Sequence, residues 1–408
     1  MEINIRRVAI PKREKLELWM NYIIVALGFT LPISIAVNNM LLAIFLVLWL
    51  LAGDFRRRWR KIRGNRAAVA ILIFFALHIA ALIYSRDPAT GLKEIITREQ
   101  LLLFMPLFLS VLRPEFVKKA LSAFLLAMMI SEVLSYAMYF DLVHIPWHDY
   151  AKEPYPTPFV SHLSYSPMVA FAVILLIHRI IYGDESRAEK SLYLFFMITM
   201  SLNIFISGGR AGQIGFIVIL LFYLAYQFRK EFRKMAALLG IALAAIVVVF
   251  FLNRPFHDRM MLAYHNVANF KNNPHTSVGH RINFTLNSWE LFKERPIFGF
   301  GTGAFEKEYK RINEKLTPKV RATSQPHNFY MLTLVQFGIV GLLLLLYIFY
   351  ALFKTARKID DTYRGVRYSL LVLYLTIMLS DSYLLGHYTT LFFAYMAALL
   401  FSSRVEDV

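Results

Sequence analysis

Cysteine is absent from all 408 residues, which excludes a disulfide framework and a thiolate metal site alike. Acidic groups are scarce as well: 27 Asp and Glu stand against 45 Lys and Arg, for a formal net charge of +18. The basic residues do not gather on one polar domain, as a nucleic-acid binder would need. They fall in short clusters between apolar runs, so membrane lipids and anionic lipid-linked substrates are the expected partners and nucleic acid is not. Internal repeats and low-complexity tracts are lacking, and with them the paired halves of a secondary transporter.

Apolar side chains make up 58% of the chain and charged ones only 18%. Crossing about 30 Å of hydrocarbon takes roughly 20 helical residues, and several runs reach that length. The sequence predicts an all-α integral membrane protein with about twelve spans. They fall at 18–37, 39–53, 67–84, 99–113, 117–140, 163–183, 190–206, 211–228, 235–252, 328–353, 367–384 and 388–402. Arg6, Arg7, Lys12, Arg13 and Lys15 precede the first run with no small-residue cleavage site after it, which reads as an uncleaved first span. Three parts are expected: helices one to nine over 1–252, an outer loop over 253–327, and helices ten to twelve with a tail over 328–408.

Lys and Arg resist translocation, so short-loop charge orients the helices. Segment 54–66 holds seven basic residues, 228–234 four and 354–367 five, whereas 207–210 has only Arg210 and 384–387 none. Both termini are therefore expected in the cytoplasm. The long loop carries twelve basic residues against six acidic ones, a net +6, a field that attracts phosphorylated lipids. Ile282, Leu286 and Trp289 share one helical spacing, and Phe305, Tyr309, Ile312 and Leu316 another. Two amphipathic helices are expected there, with GFGTG between them as a hinge after Pro296.

This topology puts nine of eleven histidines on the outer side: His144, His148, His162, His257, His265, His275, His280, His327 and His387. Three constellations share that side. SGGRAG sets Arg210 at a helix start beside Ser207 and several glycines, a cradle suited to diphosphate. The same residues also read as a tight glycine turn with a snorkelling arginine. GHRINFTLNSWELF opens with Arg281 in the basic loop. SQPHNFYM places His327 just before a span, where the positive end of the helix dipole favours an uncharged imidazole able to take a proton; a plain interfacial cap is the alternative. Metal and nucleophile readings fare poorly, since no DxD, HExxH, GxSxG or SxxK occurs at an outer position and His257, His265, His275 and His280 are irregularly spaced. Mid-span ionisable groups are sparse, Glu132 being the clearest, while Asp381 falls near an outer end.

With these residues in view, the chain resembles the O-antigen ligases, a superfamily shared with O-antigen polymerases and some protein O-oligosaccharyltransferases. GGRAG, RINFTLNSWELF with PIFGFGTGAF, PHNFYML before GIVG, and VSHLSYSP with His162 and Pro167 carry the resemblance. Relatives often show Ser-Arg-Gly at the first site, where this chain has Gly-Gly-Arg-Ala-Gly. The resemblance implies a GT-C-like, metal-independent, cofactor-free and inverting glycosyltransferase of the bacterial inner membrane, with its site facing the periplasm. It further implies transfer of glycan from undecaprenyl diphosphate to a lipid A-core acceptor, with Arg210, Arg281 and His327 catalytic and Ser207, His162, Asn328 and Trp289 as further substrate contacts. Polymerase, protein glycosylation and lipid-linked glycan transport are the alternatives.

Overall fold

The computed structural model describes residues 13–147, 154–270 and 273–402, and no strand occurs among them. The basic start before residue 13, His148, Lys152 and the tail from residue 403 lie outside the described residues. The first half comprises α1 (Arg13–Thr30), α2 (Ile35–Ala52), α3 (Phe55–Gly64), α4 (Arg66–Ala80) and α5 (Pro88–Thr97), then a 3-10 turn (Glu99–Leu103) leading into α6 (Phe104–Val111), and α7 (Pro114–Tyr139) and α8 (His162–Tyr182). The second half has α9 (Arg187–Ile206), α10 (Arg210–Gln227), α11 (Phe232–Leu252), α12 (Arg254–Ala268), α13 (Ser277–Glu294), α14 (Phe305–Leu316), α15 (Phe329–Lys358), α16 (Arg364–Ile377) and α17 (His387–Phe401).

Polar residues fix where these helices start. Asn65 accepts from the amides of Ala67 and Ala68 to cap α4, and Ser186 with Glu189 forms a capping box on α9. Among the described residues, seven helices are long and apolar enough to cross a membrane, eight if the bent pair α3 and α4 counts as one span. The other four segments expected to cross, 18–37, 99–113, 367–384 and 388–402, fold as α1, the 3-10 turn with α6, α16 and α17. α16 and α17 are short, at 14 and 15 residues, and α1 begins with the charged Arg13, Glu14, Lys15 and Glu17. Tilt and protein burial, with little contact to lipid, suit such segments.

The core is built by α8 and α17, both enclosed, while α11 is almost bare and faces outward. α1 packs on α7, α8 on α9 and α10, α10 on α16, and α4 on α15. The arginine-rich α3 bends by 101° from α4 and reads as an interfacial helix. Its Arg58 guanidinium is buried 5.1 Å from the centre of the Trp49 ring.

Three helices, not two, build the long loop: α12 joins the expected α13 and α14. GFGTG is not a hinge. Gly299, Gly301 and Gly303 all have left-handed φ, and a Cβ on Gly301 would sit 2.4 Å from Ser85 Cα. α15 is broken at Gly338 (φ 62°), and the loop is spliced into that break. Phe300 N donates to Val335 O at 2.9 Å, Gly301 N to Gln336 O at 2.8 Å and Ile339 N to Pro296 O at 2.8 Å. The loop amides thus satisfy carbonyls that a straight helix would have used.

Candidate functional site

Thr276 caps α13 by accepting from Gly279 N at 3.0 Å, so Arg281 lies one turn inside the helix. Phe284, three residues on, stacks on the His327 ring at 6.0 Å and meets Tyr309 edge-on at 5.7 Å. Asn287 Nδ2 donates to Thr317 Oγ1 at 2.7 Å and to Tyr309 Oη at 3.2 Å. Burial pushes the Tyr309 hydroxyl up to about 12. This polar clamp fixes α13 against α14 and sets Arg281 and His327 on one side of it.

His327 follows Pro326 and has φ 51°, a left-handed conformation uncommon outside glycine, though His adopts it, like Asn and Asp, more often than most residues. Its Nδ1 donates to Asp381 Oδ2 at 3.3 Å. That bond directs Nε2 away from the carboxylate as the proton acceptor. Asp381 lies in the turn between α16 and α17, where its Oδ1 accepts from Ser382 N at 2.7 Å. Burial alone would raise the Asp381 pKa; the His327 hydrogen bond and charge, the Ser382 amide and the Arg281 charge together hold it below the ordinary carboxylate value. Phe329 N donates to Met378 O at 2.9 Å, tying the start of α15 to the end of α16.

Arg210 is the first residue of α10, whose cap, Gly209, supplies no side chain to the free amides. Gly208 has φ 77°, and a Cβ there would lie 2.2 Å from the Tyr155 ring, so only glycine lets the turn close. Arg259 of α12 locks the turn: it donates to Gly208 O at 2.9 Å and to Tyr155 Oη, and lies over the Tyr155 ring at 4.9 Å. Among the described residues, the charges acting on Arg210 are those of Arg281, Arg259 and Tyr155, with no carboxylate. Ser277 Oγ is 3.5 Å from Arg210 Nη2. Three guanidiniums drawn together this way repel one another, and a bound polyanion would relieve that.

α13 links the three residues: its Ser277 lies 3.5 Å from Arg210 and its Phe284 stacks on His327, with Arg281 about one turn from each. The other expected contacts are placed differently. Ser207 is fully buried, facing Ser166 Oγ at 3.2 Å and donating to Ile204 O at 3.1 Å. Asn328 caps α15, its Oδ1 accepting from Tyr330 N and Met331 N at 3.0 and 3.1 Å. Both side-chain oxygens are thus engaged within the fold. His162 meets the Tyr155 ring edge-on at 4.7 Å and so belongs to the Arg259 shelf. Trp289 lies two turns along α13 from Arg281, half-exposed and packed on Phe292 at 5.0 Å. Sequence reasoning missed Arg259, Tyr155 and Phe284, and it noted Asp381 without assigning it a partner. A carboxylate at the same helix ends as His327 was the available signal.

A cavity of about 280 Å³ lies between α5 and residues 303–325, lined by Thr90, Glu94, Thr97, Arg98, Ser324 and Gln325 among others; His327 is not part of its wall. Burial raises the Glu94 carboxyl, and Arg98 offsets this only in part. Among the described residues, no three His, Asp or Glu side chains gather within reach of one metal ion.

An all-helical membrane protein with clustered guanidiniums and a carboxylate-held imidazole at its helix ends is equipped to hold a polyanion and move a proton beside it. Residues 195–346 match the family model described as O-antigen ligase. That stretch runs from α9 into α15 and contains Arg210, Arg281 and His327, while Asp381 and His162 lie beyond it. An uncharacterized protein of Haemophilus influenzae is 26% identical over 294 residues, covering 68% of this chain and 69% of that protein. The teichuronic acid biosynthesis protein TuaE of Bacillus subtilis is 21% identical over 404 residues, covering 91% of this chain and 81% of that protein. The matched domain supports a function of the O-antigen ligase or polymerase type, on lipid-linked glycan substrates in a membrane.

Proposed function

We propose that this protein ligates undecaprenyl-diphosphate-linked O-antigen to a lipid A-core acceptor at the periplasmic face of the bacterial inner membrane, as a GT-C-like glycosyltransferase with cytoplasmic termini. The observation that carries the reading is the electrostatic chain Arg210, Arg281, Asp381, His327, assembled from four separated segments. The acceptor is a weakly nucleophilic sugar hydroxyl, and the leaving group is a lipid diphosphate that gains negative charge as the anomeric bond breaks. Arg210 and Arg281 neutralise that charge. His327, oriented by Asp381, takes the hydroxyl proton as the oxygen attacks the anomeric carbon from the face opposite the diphosphate. One displacement inverts the anomeric configuration and calls for no metal. In this reading the 1–252 and 328–408 helices form the scaffold and the 253–327 loop brings Arg281 to it.

The test is ligation by purified protein with lipid-linked glycan and lipid A-core. His327→Ala and Arg281→Ala are expected to lose about 10²–10⁴-fold while still melting cooperatively as folded protein. Arg210→Lys is expected to lose activity as well, because a point charge does not replace a bidentate contact. Wild-type rates in any of these variants refute its role, and chelator inhibition reversed by magnesium or manganese refutes the metal-free mechanism. Polymerisation is the second reading: the relative matched over 91% of this chain is named for teichuronic acid biosynthesis, a different product. Product linkage separates the two, since a polymerase lengthens lipid-linked glycan without lipid A-core.

A further inference from the structure

At the end of the molecule opposite His327, a cavity of about 720 Å³ opens where α3 turns into α4, against the last turns of α15 and α17. Four cations line it: Lys61 from α3, Arg66 from α4, and Lys354 and Lys358 one turn apart on α15. Among the described lining residues there is no Asp or Glu. Glu17, which acts on the Lys61 charge, is already engaged by Arg57 and, at 3.8 Å, by Arg13. The corner is built by Asn65, whose Oδ1 caps α4 while its Nδ2 donates to Phe401 O at 3.3 Å. Tyr350 and Phe401 contribute apolar wall.

Like charges one helical turn apart, as Lys354 and Lys358 are, destabilise a helix, and here two more cations converge on them from other helices. Such a site gains by taking an anion. We propose that this cavity binds the phosphate headgroup of an anionic phospholipid, whose acyl chains continue along the apolar wall. The lipid source is favoured over a soluble phosphate by that wall and by the position beside α3, a basic helix bearing the exposed Phe55 and Trp59 that suits the membrane surface. The site lies apart from the catalytic reading and does not depend on it.

Native mass spectrometry of the full chain, released from micelles doped with phosphatidylglycerol or phosphatidylcholine, tests this. Each lysine near an anionic headgroup contributes about fivefold in affinity, so the wild type retains phosphatidylglycerol preferentially and Lys61→Gln/Lys354→Gln loses about 25-fold of that retention. Arg229→Gln/Lys230→Gln, on another loop of the same face, leaves it unchanged. Equal retention of the two lipids by wild-type protein, or undiminished preference in a folded Lys61→Gln/Lys354→Gln variant, overturns the proposal. Full displacement of the lipid by inorganic phosphate assigns the cavity to a soluble anion instead. Glu406 and Asp407 follow lining residue Ser402 closely in the chain. A fivefold rise in lipid retention in Glu406→Gln/Asp407→Asn assigns the cavity to the chain's own tail, while unchanged retention supports the lipid.

Discussion

Between His327 and Asp381, 54 residues of chain close on one hydrogen bond, and the two residues were unequally legible in the sequence. His327 announces itself beside Pro326 at the start of an apolar run, as Arg210 does among glycines. Asp381 has no such marker, because its role depends on how α15 packs on α16, a non-local fact. The proposed mechanism makes Asp381 a positioning residue, so Asp381→Asn lowers turnover by about 10²-fold, the lower end of what a positioned base supplies. A linked stability effect is expected too. The folded-state pKa of Asp381 lies below its unfolded value, so its contribution is present above the ordinary aspartate pKa of about 4 and is lost as pH falls through the folded value. Thermal melts in detergent should show the variant less stable by about 1–3 kcal/mol at pH 7, with the gap narrowing as the pH is taken below the ordinary aspartate pKa of about 4. A gap that stays constant with pH counts against the charged pairing.

Among elements, the apolar runs were read correctly as helices because a span must satisfy its own backbone. α13 and α14 were legible from their 3.6-residue spacing. α5 and α12 were not, since neither segment is an apolar run of spanning length; Pro88 and Pro255 each occupy the first turn of a helix, where proline is tolerated. GFGTG was misread for a related reason: glycine permits a flexible joint and a close backbone approach equally, and only the partner chain segment tells them apart. Gly301→Ala forces a side chain into left-handed φ, costing about 1–2 kcal/mol, and drives it against the Ser85 backbone. A lowered melting midpoint and weakened activity are expected. Gly240→Ala in α11, where a Cβ meets nothing within 4 Å, should instead be neutral or stabilising by about 0.5–1 kcal/mol. Equal melting shifts in the two variants would contradict the splice.

For the whole molecule, the absence of cysteine makes orientation directly measurable. Lys319→Cys, in the loop after α14, should react with a membrane-impermeant maleimide in cells whose outer membrane has been permeabilised. Asp184→Cys, between α8 and α9, should react only after lysis; the reverse pattern would invert the proposed topology. The splice at Gly338 bears on the order of assembly. Its amide donors at residues 300 and 301 are synthesised before their acceptors at residues 335 and 336, and the break lies about 15 Å along α15 from its start. On the proposed topology the exported segment must therefore already be across and compact when that helix emerges, for otherwise the carbonyls opened by the break would meet hydrocarbon with nothing to bind. Biogenesis of the outer loop and insertion of α15 are on this account a single event.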